Sequence, residues 1–177
     1  NGFDPAMLRG NTGFTGVVEK IGIRGTLEMA LRLHPDTDTV AVIVDTTATG
    51  IGTLKELRAS APAFSPRIRF DIYNDVRISD LIEQLERFEG TPVLLLNFNR
   101  DSAGNNFSYW EAIELLHGAC RVPIYSVWDF FTGRDILGGI ITSGVDQGRV
   151  AGHQALRIIM GEKSTDIPIE TELPRQI

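Results

Sequence analysis

The sequence predicts an α/β fold with a doubly wound, mainly parallel sheet. Short apolar runs alternate along the chain with stretches whose apolar residues recur at helical spacing. The runs at residues 39–44 (T-V-A-V-I-V) and 92–96 (P-V-L-L-L) lack a regular polar alternation, which indicates strands buried on both faces, as in parallel sheets. Polar and glycine-rich segments follow the strands, where such sheets bind ligands. The alternation predicts helices on both faces of one sheet, as in a flavodoxin-like unit.

The individual elements follow from periodicity and from their end signals. Six strands are expected, at residues 14–19, 39–44, 68–72, 92–96, 122–127 and 136–142. Five helices are expected, over residues 23–34, 53–58, 78–85, 109–117 and 145–160. The end signals are a stop at His34-Pro35, a cap at Ser79 or Asp80, a capping box from Ser108 to Glu111 and a C-terminal glycine at Gly161. From residue 167 onward the chain reads as extended.

Composition limits the classes of function. The chain has 177 residues, 42% of them hydrophobic, and a net charge of −6. The size suits one globular domain, and the acidic balance argues against nucleic acid as a partner. The single cysteine, Cys120, cannot form an intramolecular disulfide, and no metal-type Cys/His spacing is present, so we expect no metal and no cofactor. Because the chain starts at Asn1 with no initiator methionine or leader, we expect it to be a piece of a longer protein.

The segment T-T-A-T-G at residues 46–50 joins a buried strand to a helix. The pair Gly50 and Gly52 does not extend to a dinucleotide fingerprint, since Lys55 stands where the third glycine would be. Two interpretations stay open for Thr46, Thr47 and Thr49. Their hydroxyls either contact a ligand at the helix N-terminus or only cap the helix itself.

Two further segments at strand ends carry candidate binding residues. After the strand at 92–96 come Asn99 and Asp101, which either bind an amine, amide or hydroxyl or belong to an Asx-rich turn. After the strand at 122–127 come Trp128 and Asp129, which can hold an apolar or aromatic ligand and an ammonium group. The alternative for the aromatic residues is packing beneath the strand that follows.

Catalytic motifs are weak in this sequence. The three histidines, His34, His117 and His153, lie on predicted helices with no nucleophile nearby. Neither a G-x-S-x-G elbow nor an H-E-x-x-H motif is present. A response-regulator receiver is also disfavoured, because the acidic residues and the Lys that it needs do not fall at the right strand ends.

The ordered set of motifs resembles the ABC-type substrate-binding-protein-like domain of the type I periplasmic binding fold. The residues that carry the resemblance are T-G-V-V-E at 15–19, L-H-P at 33–35, V-A-V-I-V-D-T-T-A-T-G at 40–50, L-L-L-N-F-N-R-D at 94–101, P-I-Y-S-V-W-D-F at 123–130, G-G-I-I-T-S-G-V-D-Q-G at 138–148, and I-M-G-E with D-I-P-I at 159–169. The version found in the extracytoplasmic sensing regions of bacterial sensor histidine kinases is the most similar.

The resemblance implies one lobe of a two-lobed protein that closes on its ligand at a hinge. It implies three parts: an exit from a missing first lobe at residues 1–14, an α/β binding lobe at 15–165, and a return crossover at 166–177. The implied ligand-side residues are Thr15, Gly16, Thr46, Thr47, Thr49, Asn99, Asp101, Trp128 and Asp129. Relatives that transport amino acids carry a serine-rich turn in place of T-T-A-T-G, which puts that specificity in question.

The function expected from this resemblance is small-molecule sensing by a non-enzymatic domain outside the cytoplasm. Its partners would be the ligand and the first lobe, within a membrane-associated parent; dimerisation is left open. The alternative is the substrate-binding protein of an ABC importer, which differs only in what flanks the chain. A flavodoxin-like enzyme is a third hypothesis, with Asp45, Asp101 and Asp129 as its only plausible catalytic groups.

Overall fold

A parallel sheet lies at the centre of the protein, whose computed structural model describes residues 5–171 and 175–176. The sheet is formed by four strands, Thr39–Val44 (β1), Arg69–Tyr73 (β2), Val93–Asn97 (β3) and Ile124–Ser126 (β4), in the order β2-β1-β3-β4. All neighbouring strands are parallel. Every residue of β1 and β3 is buried, as their unbroken apolar runs predict, while the edge strand β2 is only partly covered.

The described residues form five α-helices: Ile23–Leu33 (α1), Ala48–Ser60 (α2), Ile78–Leu85 (α3), Tyr109–Ala119 (α4) and Gly144–Ile159 (α5). Helix α1 packs beside α2, and α3 packs beside α4, so the sheet is covered by two pairs of helices. Their buried faces are apolar, for example Leu81 and Leu85 of α3. The predicted α/β, doubly wound parallel fold is confirmed.

Three local predictions of the sequence analysis are wrong. Residues 14–19 do not form a strand of the sheet; this segment makes only a single bridge, from Val17 to Glu170. The strand expected at 136–142 is reduced to Ile140–Ile141 (β5), which pairs antiparallel with Arg175–Gln176 (β6). Helix α3 has the predicted bounds, Ile78–Leu85, but its N-cap is Arg77 rather than Ser79 or Asp80.

Other end signals are confirmed. Helix α1 ends at Leu33, just before His34-Pro35. Ser108 and Glu111 make both hydrogen bonds of a capping box at the start of α4. Gly161 has a φ of 100°, the left-handed conformation that ends a helix, directly after the C-cap of α5 at Met160.

Helix α2 begins earlier than predicted, at Ala48, so the T-T-A-T-G segment contains its first turn.

Helix α5 differs from the other helices in its burial. Only two of its side chains are buried, and both are polar: Asp146 and Gln154. Its large apolar side chains, including Val145, Leu156 and Ile159, are exposed. The four earlier helices each bury an apolar stripe against the sheet, whereas α5 turns its apolar residues outward.

Three features of the described residues concern the state of the cysteine, membrane-spanning helices and metal-binding clusters. Cys120 is buried and donates a hydrogen bond from Sγ to the carbonyl of Val122, and burial raises the pKa of its thiol. Among the described residues, none of the helices combines the length and the apolar character needed to cross a bilayer. No group of three or more His, Cys, Asp or Glu side chains in the same residues is placed to hold a metal ion.

Candidate functional site at the carboxyl edge of the sheet

The carboxyl ends of the four parallel strands meet at one edge of the sheet. Three of these strands end there in a residue with a polar side-chain group: Asp45 after β1, Asn97 at the end of β3 and Trp128 after β4. A register shift near this edge places Asn97, rather than Leu96, opposite Val44. Irregularities of this kind re-aim side chains next to functional sites. The edge therefore brings together most of the residues that the sequence analysis selected.

Asp45 is buried between the loop after β1 and the loop after β3. We call the part of the edge formed by these two loops the corner. The Oδ1 of Asp45 accepts hydrogen bonds from the backbone N–H and the hydroxyl of Thr47, and its Oδ2 accepts one from the N–H of Asn99 at 2.7 Å. Its side chain is 1% exposed. Both carboxylate oxygens are thus engaged, and the residue ties the end of β1 to the loop after β3. Its role in the described structure is to hold these two loops together.

The three threonines after Asp45 have different environments. Thr47 is the N-cap of α2, and its hydroxyl oxygen accepts a hydrogen bond from the N–H of Gly50. Thr46 is exposed, Thr49 is half-buried, and within residues 5–171 neither side chain has a hydrogen-bond partner. The capping interpretation therefore holds for Thr47, while the hydroxyls of Thr46 and Thr49 stay available to another molecule.

Gly50 lies against the backbone of Asp45. A Cβ atom at this position would come within 2.2 Å of the Asp45 carbonyl oxygen. The glycine allows the first turn of α2 to approach the end of β1 this closely. The requirement is one of backbone fit, and it explains the glycine without a phosphate.

Asn99 and Asp101 belong to the second side of this corner. The Asn99 side chain donates to the carbonyl of Phe107 at 3.1 Å, which closes the loop after β3. Asp101 is 5% exposed and accepts hydrogen bonds from both the N–H and the side chain of Asn105. It also accepts one from the N–H of Ile78, at the start of α3. Asp101 therefore takes the place of the local cap that the sequence analysis assigned to Ser79 or Asp80.

The pKa of the Asp101 carboxyl is set by two opposing effects. Burial raises its pKa, because the charged form loses hydration. The hydrogen bonds from Asn105 and Ile78 outweigh burial and hold the pKa below its ordinary value. The carboxylate is therefore ionised at neutral pH, and it is stabilised by the loop that it closes.

The segment after β4 has a different character. Trp128 is 6% exposed, and its indole Nε1–H has no hydrogen-bond partner among the described residues. The indole stacks on Phe130, which in turn stacks on Tyr109 at a centroid distance of 3.9 Å. Buried indole N–H groups normally have a partner, since an unpaired donor costs about 1–3 kcal/mol. The donor is suited to an acceptor atom that arrives from outside this part of the chain.

Asp129 lies next to this indole in the chain. Its Oδ2 accepts a hydrogen bond from the N–H of Gly144 at 2.8 Å, which ties the segment to the start of α5. Its Oδ1 has no hydrogen-bond partner within the described ranges. Trp128 and Asp129 thus offer one donor and one acceptor on consecutive residues.

Thr15 and Gly16 lie away from these strand ends, between two neighbouring segments. The hydroxyl of Thr15 donates to the carbonyl of Pro168, and the carbonyl of Gly16 accepts from the N–H of Glu170 at 2.9 Å. We call residues 14–18 and 167–171 the hinge segments, after the position that the resemblance implies for them. The structure brings them side by side, and it does not place Thr15 or Gly16 in the corner formed by Asp45 and Asn99.

The sequence analysis missed Gln154, which joins α5 to both hinge segments. Its Nε2 donates to the carbonyls of Gly16 and Pro168, at 3.3 and 3.2 Å. Its Oε1 is buried and has no hydrogen-bond partner among the described residues. A polar residue on the inward side of a helix was the only available signal, and the helical pattern of residues 145–160 does not reveal which side is inward.

The fold is similar to that of several solved structures, one of which is described as a substrate-binding protein. Aligned structures include a conserved domain protein from Vibrio cholerae, with 14% identity, a TM-score of 0.65, and coverage of 90% of this chain and 53% of the other. They also include the ligand-free, open structure of a substrate-binding protein with adhesive properties from Clostridium difficile, with 14% identity, a TM-score of 0.64, and coverage of 89% and 52%.

A third aligned structure is the ABC domain in complex with L-Trp from Streptococcus pneumonia. Its identity is 13% and its TM-score 0.62, with coverage of 89% of this chain and 54% of the other. The chain thus spans about half the length of each of these structures. No protein-family model and no curated protein matches the chain. At this level of identity the similarity establishes the fold alone.

Proposed function

We propose that this chain is the second lobe of a two-lobed, extracytoplasmic domain that binds a small molecule. In the leading form of this proposal, the domain is the sensing region of a membrane-associated signal transduction protein such as a sensor histidine kinase. The domain itself is not an enzyme. Ligand would favour the closed arrangement of the two lobes, because it contacts both lobes only in that state.

The observation that carries this proposal is the unpaired indole N–H of Trp128 at the carboxyl edge of the sheet. Ligands of open α/β sheets bind at that edge. A buried donor with no partner among the described residues is suited to a carboxylate or carbonyl oxygen of a ligand. The free Oδ1 of the neighbouring Asp129 is suited to an ammonium group. Together they favour a ligand that carries both groups, such as an amino acid. A small amide offers a carbonyl and an uncharged N–H instead, and an aromatic acid offers the carboxylate alone.

The hydrogen bonds of the remaining candidate residues indicate which role we propose for each of them. Thr46 and Thr49 are proposed to contact the ligand directly, since their hydroxyls have no partner in the described part of the chain. Thr47, Asn99 and Asp101 are proposed to shape the site by holding its loops. Thr15 and Gly16 are proposed to act at the hinge rather than on the ligand, because they bind the returning segment.

A second candidate function is the substrate-binding protein of an ABC importer. Two observations favour it: one aligned protein is described as a substrate-binding protein and another as an ABC domain with bound L-Trp. The two functions use the same site, so they differ in the parent protein. A transmembrane helix and a kinase or cyclase module downstream would support sensing. A lipid anchor and a neighbouring permease would support import.

The test is a thermal-shift screen of the two-lobed parent against amino acids, small amides and aromatic acids. We expect one of these classes to raise the melting temperature, and we expect Trp128→Phe and Asp129→Asn to reduce the affinity measured by calorimetry. Glu86→Gln is the matched control, because Glu86 is exposed at the end of α3. A ligand that binds both variants as tightly as the unmodified protein would refute the assigned site. Turnover of a ligand would instead support the enzyme alternative.

A further inference from the structure

An open groove of about 560 Å³ runs along the outward side of α1. We call it the α1 groove, and its lining residues are Gly25, Glu28, Met29, Arg32 and Leu33 of α1 and Ile140 of β5. Leu33 is 58% exposed, although its side chain is large and apolar. At Gly25 an added Cβ atom would come within 2.7 Å of Ile140. The glycine thus lets Ile140 lie directly against the backbone of α1.

The α1 groove contains an apolar stripe beside a charged stripe. Met29 and Leu33 are four residues apart, so they form one stripe along the helix. Glu28 and Arg32, also four residues apart, form the second stripe. The Oε1 of Glu28 accepts from Arg24 at 2.9 Å, while its Oε2 and the guanidinium of Arg32 have no hydrogen-bond partner among the described residues. The charged stripe therefore offers one acceptor and one cation to another molecule.

We propose that the α1 groove is a dimer interface, in which α1 of a second copy of this chain packs antiparallel on α1. This inference goes beyond the proposed function and does not depend on it. A two-fold axis normal to the plane of the two helices keeps each stripe on the same side of the pair in both copies. The apolar stripes therefore meet each other, and the charged stripes meet each other. In a parallel pair, each charged stripe would face an apolar one.

The apolar contacts of this pair fit the shape of the groove. When the two-fold axis passes near Met29, Leu33 of the second copy lies level with Gly25, because each is four residues from the axis. Gly25 has no side chain, so Leu33 of the second copy can reach Ile140, which lies against the helix backbone there. The same contact occurs twice by symmetry. The dimer thus covers two Leu33 side chains that are mostly exposed in the single chain.

Charge complementarity favours a second copy over an unrelated partner. With the axis near Met29, Arg32 of the second copy lies within about 3 Å of Glu28 along the helix direction, since the two are three residues and one residue from the axis. The unpaired guanidinium of one copy can therefore bind the free Oε2 of the other. Symmetry makes this ion pair twice. A surface that carries both charges at this spacing complements itself, whereas a partner of one charge sign would match only half of it.

Sedimentation velocity of the 177-residue chain tests the inference. The interface is small, so we expect a monomer–dimer equilibrium with a dissociation constant below about 1 mM. Arg32→Glu and Glu28→Arg should each weaken the dimer at least about ten-fold, because like charges then face each other across the axis. An equal mixture of the two variants should recover the dimer, since every glutamate then faces an arginine. Glu114→Arg, on the exposed side of α4, is the matched control and should leave the dissociation constant unchanged.

A chain that stays monomeric up to about 1 mM overturns the inference. So does a mixture that dimerises no better than either variant alone, because the charged stripes then do not meet. Leu33→Glu and Leu156→Glu separate the α1 groove from the exposed apolar side of α5. We expect Leu33→Glu to abolish the dimer and Leu156→Glu to keep it, and the reverse result overturns the inference. Both side chains are more than half exposed, so the folded state of each variant can be checked by its melting temperature.

Discussion

The two halves of the candidate site differ in how far their polar groups are satisfied. Around Asp45 and Asn99, the side chains hydrogen-bond the loops of the protein itself. Around Trp128 and Asp129, the indole N–H and one carboxylate oxygen have no partner among the described residues. The sequence analysis placed candidate ligand-binding residues in both halves. The comparison shows that the hydrogen-bond partners of each polar group distinguish two sets of residues. Groups with partners hold the loops together, and groups without described partners can bind a ligand.

The largest expected effect is that of Asp45→Asn on stability. The substitution places an amide where three hydrogen-bond donors converge, so at least one buried donor faces another. We expect the free energy of unfolding to fall by about 3 kcal/mol. Thr46→Ala is the matched control and should change it by less than about 0.5 kcal/mol, because the Thr46 side chain is exposed. Urea denaturation measures both; equal effects would contradict the comparison.

Gly50→Ala should lower the free energy of unfolding by about 2 kcal/mol. The added methyl group would clash with the backbone of Asp45, so α2 must move away from the end of β1. Gly148→Ala is the matched control in another helix. It should raise the stability of the 177-residue chain by up to about 1 kcal/mol, since alanine favours helix and the space around it is open. A stabilising Gly50→Ala would contradict the close packing of this corner.

Trp128→Phe tests the unsatisfied half. It removes the unpaired N–H and keeps an aromatic ring in the stack with Phe130. We expect the affinity of the two-lobed parent for its ligand to fall about ten-fold, which corresponds to about 1.4 kcal/mol. Stability should change by less than about 1 kcal/mol, because the N–H makes no hydrogen bond to the residues that the structure describes. Calorimetry and urea denaturation separate the two effects. A large loss of stability at unchanged affinity would place Trp128 with the residues that build the site.

The smallest expected effect is on the pH dependence of stability. The pKa of Asp101 is lower in the folded chain than its ordinary value, so its ionised form stabilises the fold. That contribution is complete above the ordinary pKa of about 4 and is lost as the pH falls through the folded pKa. We expect Asp101→Asn to flatten the loss of stability between about pH 5 and about pH 3. An unchanged slope in urea denaturation at several pH values would contradict this role.

Much of the fold follows from local sequence patterns. The apolar runs of β1 and β3, the capping box at Ser108 and the stop at Gly161 each depend on residues close in the chain, and all were predicted. Hydrogen bonds between residues that are distant in the sequence were not predicted. Asp101 accepts from Ile78, twenty-three residues away, and Gln154 binds both hinge segments. No periodic signal marks such bonds, since they depend on which loops the sheet brings together.

The sequence located the candidate site at the carboxyl edge of the sheet, but it did not determine the role of each residue there. The residues after β1, β3 and β4 do meet at one end of the sheet, as parallel strands require. Whether Thr47 caps its helix or binds a ligand depends on where its hydroxyl points, and the pattern T-T-A-T-G is compatible with both. Thr15 and Gly16 lie apart from this edge because residues 14–19 do not join the sheet and instead bridge to Glu170 through Val17.

The placement of the two tryptophans gives the protein a built-in optical reporter. Trp110 is 47% exposed under the guanidinium of Arg134, whereas Trp128 is buried at the proposed ligand site. A soluble quencher such as iodide should therefore suppress the emission of Trp110 and leave that of Trp128. The residual fluorescence would then report, without any attached dye, on the indole of Trp128 at the proposed ligand site.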